Sequence, residues 1–302
     1  FFSTSNPKLD AWFLWYYLLH GCHGVIAWPE GWFHTADGSI APHILENRET
    51  FKDVSGEISR FILDSETRFS PDPIGIYYSQ PSIGAAWAMD AIVHGRTWPR
   101  RKSSIDNENQ SAGILRTVWC KTLEDLGYQY DFISYLDVRE NSPDLIDRFR
   151  VIVLPRAICL SDTEADALRR FVRDGGTLIA DALCGLLDSR GKGRAGGGAL
   201  DSLFGVDRDE SAGYLNGKGL TEVDGEKYQR PFLSRFTYTD GAFRHKGLVV
   251  FERGTRAGGD ATGISVSPDK NGTRMARISK RTGKGRAIYL NLSPMAYWSP
   301  SR

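Results

Sequence analysis

Hydrophobic and polar positions divide the chain into two segments with different rhythms. Residues 9–20 are apolar almost all round, which predicts a helix packed between neighbouring elements. The run at residues 24–28, bounded by glycine and proline, predicts a buried parallel strand. Helical spacing returns over residues 51–63. These few elements are too small to close a core by themselves, so they are predicted to belong to a larger domain.

A pair of prolines marks the end of this first segment. Pro71 and Pro73 cannot lie inside a helix, and each favours an extended conformation for the residue before it. The pattern of apolar positions changes immediately afterwards. We therefore predict a domain junction here, with residues 1–70 in one domain and residues 71–302 in the other.

Strand and helix patterns alternate after the junction. Strands are predicted at residues 74–78, 128–135, 150–154 and 177–180, and helices at residues 85–93, 113–127 and 161–175. The third helix begins with Ser161 and Glu164 at the spacing of a capping box, in which hydroxyl and carboxylate satisfy free amides. This βα alternation predicts an α/β fold whose parallel sheet is covered by helices on both faces.

The last third of the chain is rich in glycine and then in short strand-like runs. Residues 191–198 predict a loop, and residues 200–205 predict a short helix that ends at a glycine. Residues 213–292 contain short alternating runs separated by Gly, Asn and Asp. This last pattern predicts a β-rich tail.

Charge and composition exclude several classes of protein. The 38 Lys and Arg residues balance 37 Asp and Glu, so no excess charge draws the chain to nucleic acid or to an anionic membrane. The longest apolar stretch, residues 12–19, is too short to span a bilayer. The four cysteines form no C-x-x-C pair, and no carboxylate joins His20 and His23 at ligand spacing. We therefore predict no metal, no cofactor, no nucleic acid and no membrane partner.

Two parts of the chain resemble one enzyme family. The segment Trp28-Pro-Glu-Gly-Trp-Phe-His34, followed by Thr35-Ala-Asp-Gly38, resembles the end of the catalytic barrel in family 42 glycoside hydrolases and related β-galactosidase-like proteins. Residues 151–155, 161–173, 175–180 and 200–205 resemble that family's β-galactosidase trimerisation domain, which has the flavodoxin-like fold of class I glutamine amidotransferases. The resemblance implies the end of a (β/α)8 barrel, followed by a doubly wound parallel sheet with a β-rich tail.

The same resemblance implies a chemistry for the whole enzyme. It is a retaining hydrolysis of a galactoside or related glycoside by two carboxylates roughly 5 Å apart. In the family these groups stand on earlier barrel strands, so we expect them upstream of this chain and predict no catalytic residue within it. The second domain is expected to assemble a homo-oligomer such as a trimer. The chain by itself is expected to be inactive.

Three residues of the barrel-like segment are candidates for contact with the sugar. The resemblance implies that Trp28 stacks on a sugar face and that Glu30 and His34 hydrogen-bond its hydroxyl groups, at the end of the barrel where such sites are built. Three residues separate Glu30 from His34, where the family usually has two. The alternative is that Trp28 and Trp32 pack the barrel mouth and Glu30 is solvated.

Two other functions compete with this interpretation. The first is a non-catalytic carbohydrate-associated scaffold that has kept the fold and lost hydrolysis. The second is a Cys-dependent amidase in which Cys184, beside Gly185 after a predicted strand, is the nucleophile. His245 is the only later histidine, and it lies in a polar stretch, which favours a structural thiol. Compartment stays open, with cytoplasm or periplasm favoured.

Overall fold

The chain folds into two compact units, Phe1–Ser70 and Pro71–Arg302. The structure, a computed structural model, describes residues 6–24, 33–64, 66–67, 70–93, 111–140, 144–208, 233–240, 243–250, 252, 255–269, 272–292 and 294.

In the first unit the described residues form helices. These are α1 Pro7–Leu19, α2 Pro42–Glu46, α3 Arg48–Ser55 and α4 Glu57–Ile62. The predicted helix at residues 9–20 is confirmed, and it begins earlier because Asn6 caps it. The Asn6 side chain accepts hydrogen bonds from the amides of Lys8 and Leu9, at 3.1 and 3.3 Å.

The predicted helical segment at residues 51–63 is interrupted in the structure. Gly56 separates α3 from α4, and a Cβ at this position would lie 2.7 Å from the Lys52 carbonyl oxygen. Apart from Gly24, the predicted strand at residues 24–28 lies outside the described residues. Residues 42–46, for which the sequence predicted no helix, form α2 with Pro42 in its first turn.

The second unit contains the following elements. The helices are α5 Gln80–Val93, α6 Ser111–Asp125, α7 Tyr135–Glu140, α8 Leu145–Arg148, α9 Asp162–Arg173 and α10 Asp201–Phe204. The strands are β1 Ile74–Tyr78, β2 Asp131–Ser134, β3 Val151–Leu154, β4 Thr177–Ala180, β5 Val206–Asp207, β6 Leu233–Asp240, β7 Phe243–Val250, β8 Arg256–Ala257, β9 Thr262–Asp269, β10 Gly272–Thr282 and β11 Gly285–Leu290.

A seven-stranded sheet organises this unit, in the order β2-β1-β3-β4-β11-β10-β9. Five neighbouring strands are parallel, namely β2, β1, β3, β4 and β11. Strand β10 then pairs antiparallel with β11, and β9 pairs antiparallel with β10. The β-rich tail is confirmed, but β9 to β11 extend the main sheet instead of forming a separate layer. The tail joins the main sheet because β11 pairs with β4, where the side chains of Ala287 and Tyr289 are fully buried.

Helices cover both faces of the sheet, as predicted. Consecutive strand residues point to opposite faces. Ile76 of β1 packs in one apolar cluster with Leu123 of α6, whereas Tyr77 packs in another with Leu168 of α9. Helices α6 and α9 therefore lie on opposite faces, which makes the sheet doubly wound.

The predicted capping box at the start of α9 is present. The Ser161 hydroxyl accepts from the Glu164 amide at 3.2 Å, and the Glu164 carboxylate accepts from the Ser161 amide at 2.9 Å. The other carboxylate oxygen of Glu164 accepts from the buried Tyr77 hydroxyl. The cap therefore also fixes α9 against β1.

Gly205, which ends α10, allows a sharp test of packing. Its φ is +68°, and a Cβ there would lie 2.4 Å from the Ala261 Cβ. We expect Gly205→Ala to lower the free energy of unfolding by about 2–4 kcal/mol, since overpacking adds to left-handed strain. Gly127→Ala is the control, because its φ is +80° and no atom lies within 4 Å of the added Cβ. In urea unfolding, equal losses for the two variants would contradict the packing argument.

Candidate functional site

Polar side chains gather where the parallel strands of the second unit end. Ser79 follows β1, Arg156 lies two residues after β3, Asp181 follows β4 and Asn291 follows β11. All four residues are buried. Because carboxyl ends of parallel strands share one edge of the sheet, these residues mark the edge at which open α/β sheets bind ligands.

A buried ion pair dominates this edge near β4 and β11. Arg208 Nε lies 3.1 Å from one carboxylate oxygen of Glu252, and Arg208 Nη2 lies 3.3 Å from the other. The two side chains are only 2% and 0% exposed. Arg208 also pairs with Asp201 of α10, and its Nη2 donates to the Tyr289 hydroxyl at 2.8 Å. The guanidinium therefore joins three segments that are distant in sequence.

Glu252 is equally well held. Its carboxylate accepts from Thr255 Oγ1 at 2.9 Å, from the Tyr289 hydroxyl and from the Leu183 amide. Burial opposes its ionisation, but Arg208 and these hydrogen bonds bring the pKa of Glu252 below its ordinary value. Its backbone pairs with the side chain of Asn291, at 3.1 and 3.2 Å. The cluster thus clamps the turn after β4 to the end of β11.

A second buried carboxyl group, Asp181, behaves differently. It accepts from the Arg156 amide at 2.8 Å and from Trp119 Nε1 at 3.3 Å. Burial raises the pKa of Asp181 to about 7, although these hydrogen bonds and the Arg156 charge act against the rise. This group therefore changes charge near neutral pH.

The turn after β4 does not present a nucleophile. Leu183 has the left-handed backbone conformation, with φ +71°, at the place where a strained turn would expose a catalytic side chain. Leu183 and the neighbouring Cys184 are both buried. Burial raises the pKa of the Cys184 thiol well above its ordinary value, which disfavours a thiolate. The backbone of His245 pairs with Tyr238 on β6, while its side chain is outside the described part. These observations favour a structural thiol over an amidase.

Thiol labelling tests this conclusion. Cys22 is exposed, whereas Cys159 and Cys184 are buried, and burial raises the pKa of Cys159 to about 11. We expect a thiol reagent to modify Cys22 rapidly in the native protein. Cys159 and Cys184 should react only after denaturation, as followed by mass spectrometry of the labelled peptides. Rapid modification of Cys184 in the native protein would instead favour the amidase hypothesis.

Of the three predicted sugar contacts, only His34 lies within the described residues. It is exposed and forms an isolated β-bridge with Ile40 across a tight turn. Asp37 organises this turn by accepting hydrogen bonds from Thr35 and Ser39. These hydrogen bonds lower the pKa of Asp37 to about 2. Trp28 and Glu30 lie outside the described residues. The sugar site therefore stays a prediction.

The described parts of the chain contain no group of His, Cys, Asp or Glu residues that could hold a metal ion. Within the same ranges, no helix is both long and apolar enough to cross a membrane.

Comparison with known proteins agrees with this architecture. A family model described as the beta-galactosidase trimerisation domain matches residues 107–296. A β-galactosidase from Bacillus circulans sp. alkalophilus is similar with a TM-score of 0.62 and 17% identity, over 97% of this chain and 40% of that one. A catalytic mutant of a GH42 β-galactosidase from G. stearothermophilus is similar with a TM-score of 0.63 and 15% identity, over 95% of this chain and 38% of that one. At this identity the likeness shows the fold, and the chain spans 38–40% of these structures. A comparison with curated proteins found no match.

Sequence reasoning missed the residues of the buried cluster. Arg208 and Glu252 are 44 positions apart, and neither falls within a motif. A signal did exist for Arg156, which follows the predicted strand at residues 150–154. The carboxyl end of a parallel strand is where α/β proteins place ligand-binding groups.

Proposed function

Because the chain belongs to the β-galactosidase trimerisation domain family, we propose that its second unit holds copies of this protein together as a homo-oligomer, specifically a trimer. The observation that carries this proposal is the family match, which falls entirely within the second unit. The doubly wound sheet gives that unit a rigid core on which an interface can be built.

The surface of the second unit offers a place for such an interface. Four large apolar side chains within residues 126–136 are 38–66% exposed, on and beside the edge strand β2: Leu126, Tyr128, Phe132 and Leu136. Exposed apolar groups concentrated in this way are typical of protein contacts. An edge strand also has unpaired backbone groups that another chain can cover. We therefore place the subunit contact at this edge.

We further propose that the whole protein is a glycosidase of the β-galactosidase-like kind. Hydrolysis would proceed by the retaining mechanism, with two carboxylates about 5 Å apart. Residues 1–70 would contribute the end of the barrel, and Trp28, Glu30 and His34 would contact the sugar. The exposed position of His34 on a fixed turn is compatible with this role.

Light scattering tests the assembly. We expect a mass near three times 33.7 kDa for the chain. Phe132→Glu should shift the mass towards the monomer, because it places a charge in the apolar contact. Ile264→Glu is the matched control, since Ile264 is equally exposed, at 48%, on β9 at the opposite edge of the sheet. A monomeric wild-type chain would refute the assembly role.

Hydrolysis of nitrophenyl glycosides tests the activity. The complete reading frame that encodes this chain should hydrolyse a β-galactoside, and Glu30→Gln or His34→Gln should raise KM. Glu57→Gln, which changes an exposed carboxylate on α4, is the control. Absence of hydrolysis by the complete protein would favour the scaffold alternative. Unchanged KM in both variants would remove these residues from the sugar site.

A further inference from the structure

A basic cleft lies between α9, α10 and β10 of the second unit, beside the turn that joins β10 to β11. It is open to solvent and offers about 330 Å³ of space, within the range of sites for small ligands. The turn stands at the amino end of β11, whereas the buried polar cluster lies at the carboxyl ends of the parallel strands. The lining residues are Arg169 and Arg173 of α9, Ser202 and Leu203 of α10, and Lys280, Arg281 and Thr282 of β10.

Two of the four cations in this lining are anchored by neighbouring groups. Arg169 Nη1 lies 2.6 Å from Asp166 Oδ1, and Lys280 Nζ lies 3.0 Å from Asp260 Oδ1. Lys280 also donates to the Ser202 carbonyl oxygen at 3.3 Å, which ties β10 to α10. Both acids stand outside the lining, with side chains 66% and 71% exposed. Because ion pairs that are this exposed are screened by water, the two acids offset their cations only in part.

The other two cations, Arg173 and Arg281, are open to a ligand. Both are exposed, and within the described ranges their side chains form no ion pair and no hydrogen bond. Arg173 lies in the last turn of α9, where the carboxyl end of the helix adds roughly half a negative charge. Arg281 lies on a strand and has no such compensation. Asp174, which follows Arg173, is exposed and outside the lining. The cleft therefore keeps an excess of positive charge, although the net charge of the chain is only +1.

Close packing holds the cations of α9 and β10 at the same cleft. A Cβ at Gly283, whose φ is +60°, would lie 2.6 Å from the Arg173 carbonyl oxygen. The Lys284 amide donates to this same oxygen at 2.9 Å. The turn after β10 therefore rests directly on the end of α9. Like charges held together in this way repel one another, and an anion that enters the cleft relieves the repulsion.

The chemistry of the lining favours phosphate groups. Clefts lined by charges of one sign raise the local concentration of counter-ions, and arginine binds phosphate through parallel hydrogen bonds. A phosphate group carries roughly two negative charges near neutral pH, which matches several cations better than a single carboxylate does. Ser202 and Thr282 add hydroxyl groups, and Thr282 Oγ1 is buried without a hydrogen-bond partner among the described residues. The described lining contains no aromatic side chain on which a nucleic-acid base could stack.

We propose that the cleft between α9, α10 and β10 binds the phosphate groups of a small molecule, with Arg173 and Arg281 as its main contacts. The inference goes beyond the assembly role and does not rest on it, because the subunit contact proposed above lies at β2. Inorganic pyrophosphate is the simplest probe, since it consists of two phosphate groups and nothing else.

Calorimetric titration of the full chain with sodium pyrophosphate, compared with sodium chloride at equal ionic strength, measures this binding. The variants are Arg173→Gln, Arg281→Gln and the combination of both. Arg277→Gln is the matched control, because Arg277 is also exposed on β10 but lies outside the lining. Circular dichroism checks that each variant is folded, which is expected because all three arginines are exposed.

Pyrophosphate should bind the wild-type chain at one site, with heat that chloride does not produce. Each single variant in the cleft should weaken the affinity about three- to fivefold, as expected for one partly exposed charged partner. The double variant should weaken it about tenfold or more, and Arg277→Gln should bind like the wild type.

Two results would overturn the proposal. In the first, pyrophosphate binds the wild-type chain no better than chloride does. In the second, Arg277→Gln weakens binding as much as Arg173→Gln and Arg281→Gln do, because the attraction would then be a general property of the basic surface and not of the cleft.

Discussion

Glu252→Gln is expected to lower the free energy of unfolding by about 3–5 kcal/mol, the usual cost of leaving one partner of a buried ion pair uncompensated. Arg208 would keep its charge in a site where its side chain is 2% exposed. Asp201 would remain its only anionic partner among the described residues. The glutamine amide would also present donors to the hydroxyl of Thr255 and to the Leu183 amide, where the carboxylate only accepts.

Urea unfolding followed by circular dichroism measures this effect. Asp125→Asn is the matched control, because it breaks the Lys121–Asp125 ion pair, whose side chains are both 45% exposed. Exposed pairs contribute about 0–1 kcal/mol. A loss for Glu252→Gln no larger than that of the control would show that the cluster does not hold the turn after β4.

Asp181→Asn is expected to change how stability depends on pH. Burial raises the pKa of Asp181 from 3.8 to about 7, so the folded protein favours its neutral form. The resulting stability is fully present below pH 3.8 and is lost as pH rises to about 7. Asparagine is neutral throughout. The wild type should therefore lose up to about 4 kcal/mol relative to the variant across this window, at 1.36 kcal/mol per pKa unit.

Free energies of unfolding for both proteins between pH 4 and pH 7.5 provide the measurement. Trp119→Phe is an informative companion, because the Trp119 Nε1 hydrogen bond lowers the pKa of Asp181. Loss of this hydrogen bond should raise the pKa of Asp181 further, so that the free energy of unfolding keeps changing with pH to higher pH values. Parallel curves for the wild type and Asp181→Asn would show that this carboxyl group is ionised normally in the folded protein.

Elements with local signals could be predicted from the sequence. The strand at Ile74–Tyr78 and the capping box at Ser161 and Glu164 were found because their signals lie within a few residues. The short helix before Gly205 was found for the same reason. The helical segment at residues 51–63 was predicted without its break, because the approach of the Gly56 Cα to the Lys52 carbonyl is not visible in apolar spacing.

The candidate site was less predictable. Cys184 drew attention because it stands beside a glycine after a strand, yet the non-glycine residue of that turn with a left-handed backbone is Leu183. Which residue of the turn has the left-handed backbone decides whether a given side chain is exposed or buried. The order of residue types does not determine that position. Ser79 and Arg156 lie near each other only because the sheet places β3 next to β1.

The sequence by itself determined the α/β rhythm and the helix ends at Ser161 and Gly205, because each depends on residue types at short spacing. It also carried the resemblance to the family that the comparison confirms. The tertiary structure alone decided that β11 lies parallel to β4 and that Arg208 meets Glu252. It also decided that Arg156 Nε has no hydrogen-bond partner among the described residues. Strand order and buried pairing depend on which distant segments exclude water together, and that choice is made by the packing of the whole unit rather than by any local run of residues.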